Sequence, residues 1–260
     1  MSYENLIISD RANIRVITVN RPAVLNALNK RTLLELDAAL CDVENNHTVK
    51  AVVMTGAGNK SFVAGADIAE MKNLTPVEAE QMSALGHRAM DHITLLKVPV
   101  IAAVNGFALG GGLELALACD FIYANENALL GLVETKLGLI PGFGGVARLV
   151  RRVGKAQASE MIFSAAQITA NEAMRIGLLN RITPEEEVVE AAVAVAEKII
   201  QRGPYAISLV KGLIRETQDA DMRTANAMEQ RCFGLVFASR DHGEGIRAFL
   251  DKRIPSFEGC

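Results

Sequence analysis

Two glutamates stand next to glycine-rich turns in apolar company, and their chemistry is the most informative feature of the chain. The first ends the run Val104-Asn105-Gly106-Phe107-Ala108-Leu109-Gly110-Gly111-Gly112-Leu113-Glu114. Three consecutive glycines between a strand and a helix let backbone approach a ligand without side-chain obstruction. The first amides of such a helix have no partner within it, and the helix dipole adds partial positive charge. The place can stabilise a developing oxyanion, with Glu114 in the first helical turn. It reads equally as tight packing beside a solvated glutamate that complements the dipole. A second small-residue turn, Phe62-Val63-Ala64-Gly65-Ala66-Asp67, can supply another amide donor, and Asp67 can cap a helix through Met71. Taken alone it reads as an ordinary loop. The second glutamate lies in Gly131-Leu132-Val133-Glu134-Thr135-Lys136-Leu137-Gly138. A carboxyl among apolar neighbours has a raised pKa, which suits proton transfer near neutral pH. Pairing of Glu134 with Lys136 at a turn is the plainer alternative.

The elements that must position these groups alternate between strands and helices as far as residue 180, which favours an α/β architecture. Strands are expected at 3–9, 14–20, 49–55, 100–104, 121–124 and 129–131. Segment 59–67 is expected as a loop, and 106–112 as a lead into a helix over 113–118. Leu33, Leu36, Leu40 and Val43 recur at helical spacing, which predicts a helix over Lys30–Asn45. Thr75, Thr169 and Thr183 each begin a helix-start pattern in which the hydroxyl caps an amide three residues on and a Glu reaches back. Beyond Pro184 everything reads helical, at 185–201, 205–216, 224–237 and 242–251, and Gly203-Pro204 is the best break. The expected division is therefore 1–202 and 203–260.

Composition narrows the function classes. The 260 residues carry 27 Lys plus Arg against 30 Asp plus Glu, a net charge of −3, so no global field attracts nucleic acid or an anionic membrane. Aromatic residues are 5% with no Trp, which argues against a base-stacking surface. The longest apolar runs fall short of the ~20 residues that span a bilayer, and the start resembles neither signal nor transit peptide. Cys41, Cys119, Cys232 and Cys260 are far apart and read as free thiols of a reducing compartment. The expectation is a soluble, cytoplasmic protein. Several patterns fail on inspection. Pro141 spoils Gly142–Ala147 as a dinucleotide fingerprint, and Gly56–Lys60 is no phosphate loop. His47, His87, His92 and His242 are scattered and read as helix-facing. Arg148, Arg151 and Arg152 form a short basic patch, read as a solvated face or a phosphate contact.

Taken in order, these segments resemble the enoyl-CoA hydratase (crotonase) family. The resemblance rests on Ala64–Ile68, Asn105–Ala116, Cys119-Asp120, Glu134–Gly138, Pro141–Gly145 and Gly243–Phe249. It implies a crotonase-like spiral of β-β-α turns followed by a helical trimerisation region, forming a homotrimer or a homohexamer built as a dimer of trimers. It implies an acyl-CoA thioester substrate, no metal and no redox cofactor, coenzyme A being part of the substrate. The oxyanion hole falls on the amides of Ala66 and Gly111. Glu114 and Glu134 become the acid–base pair that holds a water over the C2=C3 bond, with the Gly142 amide helping to fix that water. Coenzyme A contacts fall on Lys60, Ala64, Asp67, Ile68 and Lys252, with Phe249 and Lys252 supplied across subunits. The sequence departs from the family pattern at Ala69, where many relatives carry Lys, at Val133, where Pro is common, and at Ala165-Ala166. A Δ3–Δ2 isomerase needs only one base, so retention of Glu114 favours hydration. A non-catalytic acyl-CoA or RNA-binding relative predicts a lost Glu or an added basic segment, and this chain has neither.

Overall fold

The computed structural model describes residues 3–259; Cys260, expected as a free thiol, lies outside them, whereas Cys41, Cys119 and Cys232 are free. The chain opens with a hairpin, β1 (Leu6–Arg11) and β2 (Ile14–Val19), then α1 (Lys30–Asn45). A repeating turn follows: β3 (Ala51–Gly56), β4 (Ser61–Val63), the short α2 (Ile68–Met71), and α3 (Pro76–Leu95). The next turn is β5 (Val100–Val104), β6 (Phe107–Leu109) and α4 (Gly111–Ala118). A third comprises β7 (Phe121–Asn125), β8 (Leu129–Gly131), α5 (Gly145–Val153) and α6 (Lys155–Ser164). The chain then runs through β9 (Ile168–Thr169), α7 (Ala170–Arg175), β10 (Arg181–Thr183) and α8 (Val188–Ile199). It ends in α9 (Pro204–Thr217), α10 (Met222–Val236) and α11 (Arg240–Leu250).

Each turn of this spiral gives one strand to each of two sheets. The larger has the order β1-β2-β3-β5-β7-β10 and is parallel from β2 onward; the smaller has the order β4-β6-β8-β9 and is parallel through β8. This is the expected β-β-α spiral. Every residue of β3 and β5 is buried, because both faces of the larger sheet are covered. Val52, Met54, Val100, Ala102 and Val104 face the main core, with the apolar stripe of α1 and residues of α3. Ala51, Val53, Ile101 and Ala103 face the other way, onto Val188, Ala192, Val193 and Ala196 of α8. The first helix beyond Pro184 thus closes the sheet's second face.

Local signals explain most boundaries. Asn29 caps α1 by accepting from the Thr32 amide, and Leu33, Leu36, Leu40 and Val43 are buried, as their spacing requires. Thr75 and Glu78 form the reciprocal capping box of α3, and Thr169 accepts from the Glu172 amide to cap α7. The third pattern behaves differently. Thr183 is the buried last residue of β10, its hydroxyl donates to the Pro184 carbonyl, and the turn at Glu185–Glu187 has no side-chain cap. The hydroxyl is spent on that neighbouring carbonyl instead of on an amide three residues on, whereas Thr169, which also ends a paired strand, does cap its helix. The first strand lies at Leu6–Arg11, later than the expected 3–9, because residues 6–11 pair with 14–19. The expected loop 59–67 contains β4, and the expected lead 106–112 is divided between β6 and the first residues of α4, which starts at Gly111.

Asn105, between β5 and β6, ties the strand ends together. Its amide donates to the carbonyls of Gly56 and Gly58 at 2.8 and 2.7 Å, and its Oδ1 accepts from the Gly56 amide at 3.1 Å. Asn105→Ala takes this partner from the buried Gly56 amide and carbonyl, so a loss of about 2–4 kcal/mol is expected in urea unfolding. A loss below about 1 kcal/mol would show that water takes over the bonds.

Candidate active site

Two strand ends of the smaller sheet meet here. β6 ends at Leu109, and Gly110 turns the chain at φ 49° into α4, a conformation that glycine adopts without the strain of a Cβ. The turn is packed tightly: a Cβ on Gly112 would lie 1.9 Å from the Val63 carbonyl oxygen of β4. Beyond β4, the Ala64 amide donates to the Leu25 carbonyl, the Leu28 amide to the Gly65 carbonyl, and the Asp67 amide to the Leu28 carbonyl. On the α4 side the Gly110 amide donates to Gly131 and the Glu114 amide to Gly110. The amides of Ala66 and Gly111, flanked by these engaged groups, have no acceptor among the described residues. They converge: a Cβ on Gly111 would stand 3.5 Å from the Ala66 nitrogen. Two free amides this close together can donate to an oxygen that gains negative charge.

Both expected carboxylates face this place, in different conditions. Glu114 is 1% exposed, so the solvated alternative does not hold. Its Oε1 accepts from the Phe143 amide at 2.7 Å and the Gly145 amide at 2.8 Å. Burial raises its pKa, while those two amides and the Arg148 charge pull it back. Glu134 opens a 3₁₀ turn, Glu134–Leu137, with its Oε1 beside the Gly110 turn, where a Cβ would come within 3.0 Å. Its Oε2 is buried without a partner among the described residues, and no pair with Lys136 forms. Burial, chiefly, pushes this carboxyl up to about 7, and the Glu114 charge adds to the rise. One carboxylate is thus held by donors, while the other stays near neutral.

The remaining expected residues divide. Gly142 belongs to the loop over Glu114, and its carbonyl accepts from the Ser83 hydroxyl at 2.6 Å. Ala64, Asp67 and Ile68 lie along the Ala66 turn; Asp67 caps α2 and pairs with Arg21 at 3.0 Å. Lys60 is exposed at the foot of β4. Phe249, 83% exposed, and exposed Lys252 lie at the far end of α11, and no hydrogen bond or ion pair joins them to the carboxylates within one chain. The basic patch dissolves: Arg148 pairs with Asp91, Arg151 with Asp219, and Arg152 donates to the Asp120 carbonyl. His92 is held between Asp37 and Glu44, which ties α3 to α1. The sequence reading missed the Phe143 and Gly145 amides. Their loop was in view, but the direction of a backbone N–H leaves no mark on residue type.

Comparison with known proteins then decides the family: residues 9–260 match Enoyl-CoA hydratase/isomerase. The chain belongs to that family. It is 46% identical over 257 residues to a crotonyl-CoA hydratase of Syntrophomonas wolfei, covering 99% of both chains. It is 45% identical over 253 residues to a short-chain-enoyl-CoA hydratase of Clostridium acetobutylicum, covering 97% of both. An enoyl-CoA hydratase structure from Bacillus anthracis superposes with a TM-score of 0.96 at 38% identity, over 99% of this chain and all of that one. Among enoyl-CoA hydratase/isomerase members this one is an enzyme of hydratase type, with both carboxylates retained at one pair of free amides.

The Glu134 environment has a measurable cost. The folded state binds this proton more tightly than the unfolded chain, so the contribution to stability is intact below the ordinary carboxylate range. It is lost as pH rises through about 7. Glu134→Gln removes that dependence. Relative to wild type, the variant gains on the order of 2 kcal/mol between about pH 5 and pH 8 in urea unfolding. A difference independent of pH would show that Glu134 ionises normally.

Proposed function

We propose that the hydration of a trans-2-enoyl-CoA thioester proceeds here with Glu114 as base and Glu134 as acid. The observation that carries this division is the contrast between a donor-held Glu114 and an unpartnered Glu134 beside the same two amides. The thioester oxygen sits between the amides of Ala66 and Gly111, which strengthen as it gains charge. Glu114 spends Oε1 on backbone donors and keeps Oε2 for a water, which the Gly142 amide helps to orient. The water gives a proton to Glu114 as its oxygen bonds to C3. The C2=C3 electron pair moves toward the thioester, and C2 takes the proton of Glu134. The carboxyls exchange protonation states, and one proton passed between them or through solvent resets the site. Reversal dehydrates the 3-hydroxyacyl-CoA. No metal or redox cofactor enters this scheme.

The coenzyme A portion lies along the Ala64–Ile68 backbone, with Lys60 toward its phosphates. Ala69 offers no cation there. Lys252 and Phe249, both exposed, would complete the site from a neighbouring copy. Residues 203–260 form the oligomerisation region of this reading. Val210, Ile214, Met222, Phe233, Leu250 and Phe249 present large apolar surface on α9, α10 and α11, which association would cover. A homotrimer or a dimer of trimers fits; the site is then complete only in the assembly. The working compartment of this reading is the cytoplasm. Among the described residues no helix is long and apolar enough to cross a membrane.

Purified protein is expected to consume crotonyl-CoA, followed by loss of its ultraviolet absorbance. Glu114→Gln and Glu134→Gln should each lower kcat by about 10²–10⁴. Full activity in either variant would overturn the two-carboxylate scheme. Sedimentation should give a mass three or six times that of the 27.9 kDa chain. A monomer with full activity would place the coenzyme A contacts within one chain.

A further inference from the structure

The loop that supplies the Glu114 donors is gripped from outside by one face of α3. The Ser83 hydroxyl holds the Gly142 carbonyl at 2.6 Å. One helical turn on, the Phe143 ring packs directly against Gly86, where a Cβ would fall 2.0 Å from ring Cδ1. Two turns on, Asp91 Oδ1 pairs with Arg148 Nη2 at 2.7 Å, and Arg148 Nη1 donates to the Phe143 carbonyl at 3.0 Å. Phe143 is therefore held through both backbone groups, its carbonyl by Arg148 and its amide by Glu114. Arg148 is largely buried, with 18% of its side chain exposed, and both ends of its fork are engaged.

We propose that Arg148 is a positioning residue for hydration: anchored to Asp91, it fixes the Phe143–Gly145 loop so that the Phe143 and Gly145 amides orient the Glu114 carboxylate toward its water. This rests on Glu114 being the base. A guanidinium suits the role because its planar fork joins a carboxylate on α3 to a carbonyl of the loop, which a single ammonium does less well. The charged and titratable groups around Glu114 are Glu134 from the 3₁₀ turn, Arg148 from α5, and His87 and Asp91 from α3. Of these, Arg148 favours the Glu114 carboxylate, whose charge in turn raises the pKa of Glu134. Without the Arg148 clamp, burial acts with less opposition, and Glu114 needs a higher pH to ionise.

The test compares Arg148→Met and Arg148→Lys with wild type, using crotonyl-CoA across pH. Arg148→Met should lower kcat by roughly 10–100-fold with KM changed less than about threefold, as misplacement of a catalytic group does. The acidic limb of its kcat profile should move to higher pH. Arg148→Lys should recover part of kcat and hold the limb near wild type. An acidic limb unmoved in folded Arg148→Met overturns the proposal and leaves Arg148 a purely structural residue. If Arg148→Met does not fold, Arg148→Lys decides: kcat several-fold down with KM held supports the clamp, and wild-type kcat overturns it. Glu114→Gln assayed alongside separates the two levels, since an active Glu114→Gln removes the base assignment whatever Arg148 does.

Discussion

A carboxylate buried in an apolar core is the constraint around which this molecule is arranged. Glu114 lies among fully buried neighbours on α4, and leaving such a charge unpartnered costs far more than a single bond returns. Its compensation is two backbone amides from a distant loop, so that loop must be held to within tenths of an ångström. The α3 clamp, the tight contact at Gly86 and the close approach of α4 to β4 follow from that requirement.

The spiral topology serves the same end by bringing loops of successive turns to one edge. The amide of Ala66 follows β4, that of Gly111 follows β6, and Glu134 follows β8, three adjacent strands of the smaller sheet. Parallel pairing with short strands places equivalent turns side by side, so groups far apart in sequence become neighbours without long connections. The larger sheet, buried on both faces, supplies the rigid base. Site geometry on such a frame is a property of strand register rather than of loop flexibility.

How much of this was legible follows from what each residue type encodes. The apolar stripe of α1 and the Thr75 box are side-chain patterns, and both appear where the spacing puts them. The convergence of Glu114 and Glu134 came from ordered family resemblance; neither glutamate on its own excluded a plain structural role. Strands β4 and β6 escaped because both adjoin runs of glycine and alanine that read as turns, and their partners lie far away in sequence. Thr183 misled because its hydroxyl bonds the next carbonyl instead of an amide three residues on, a choice that residue type does not record. The amides that hold Glu114 and the Arg148 fork were invisible for a simpler reason. Backbone direction and the choice of partner for an arginine are fixed only by three-dimensional packing.

The buried ammonium of Lys211 changes how the chain can be divided. From α9 it reaches the Asp120 carboxylate at 2.8 Å and the Val98 carbonyl at 3.0 Å, and Asp120 in turn accepts from the Val100 amide that begins β5. The seam at Gly203 is thus one of chain path and not of energy. A fragment cut there would lose the cation of this pair and leave Asp120 with the Val100 amide alone. The spiral and the helical extension have to be inherited, truncated or transplanted together.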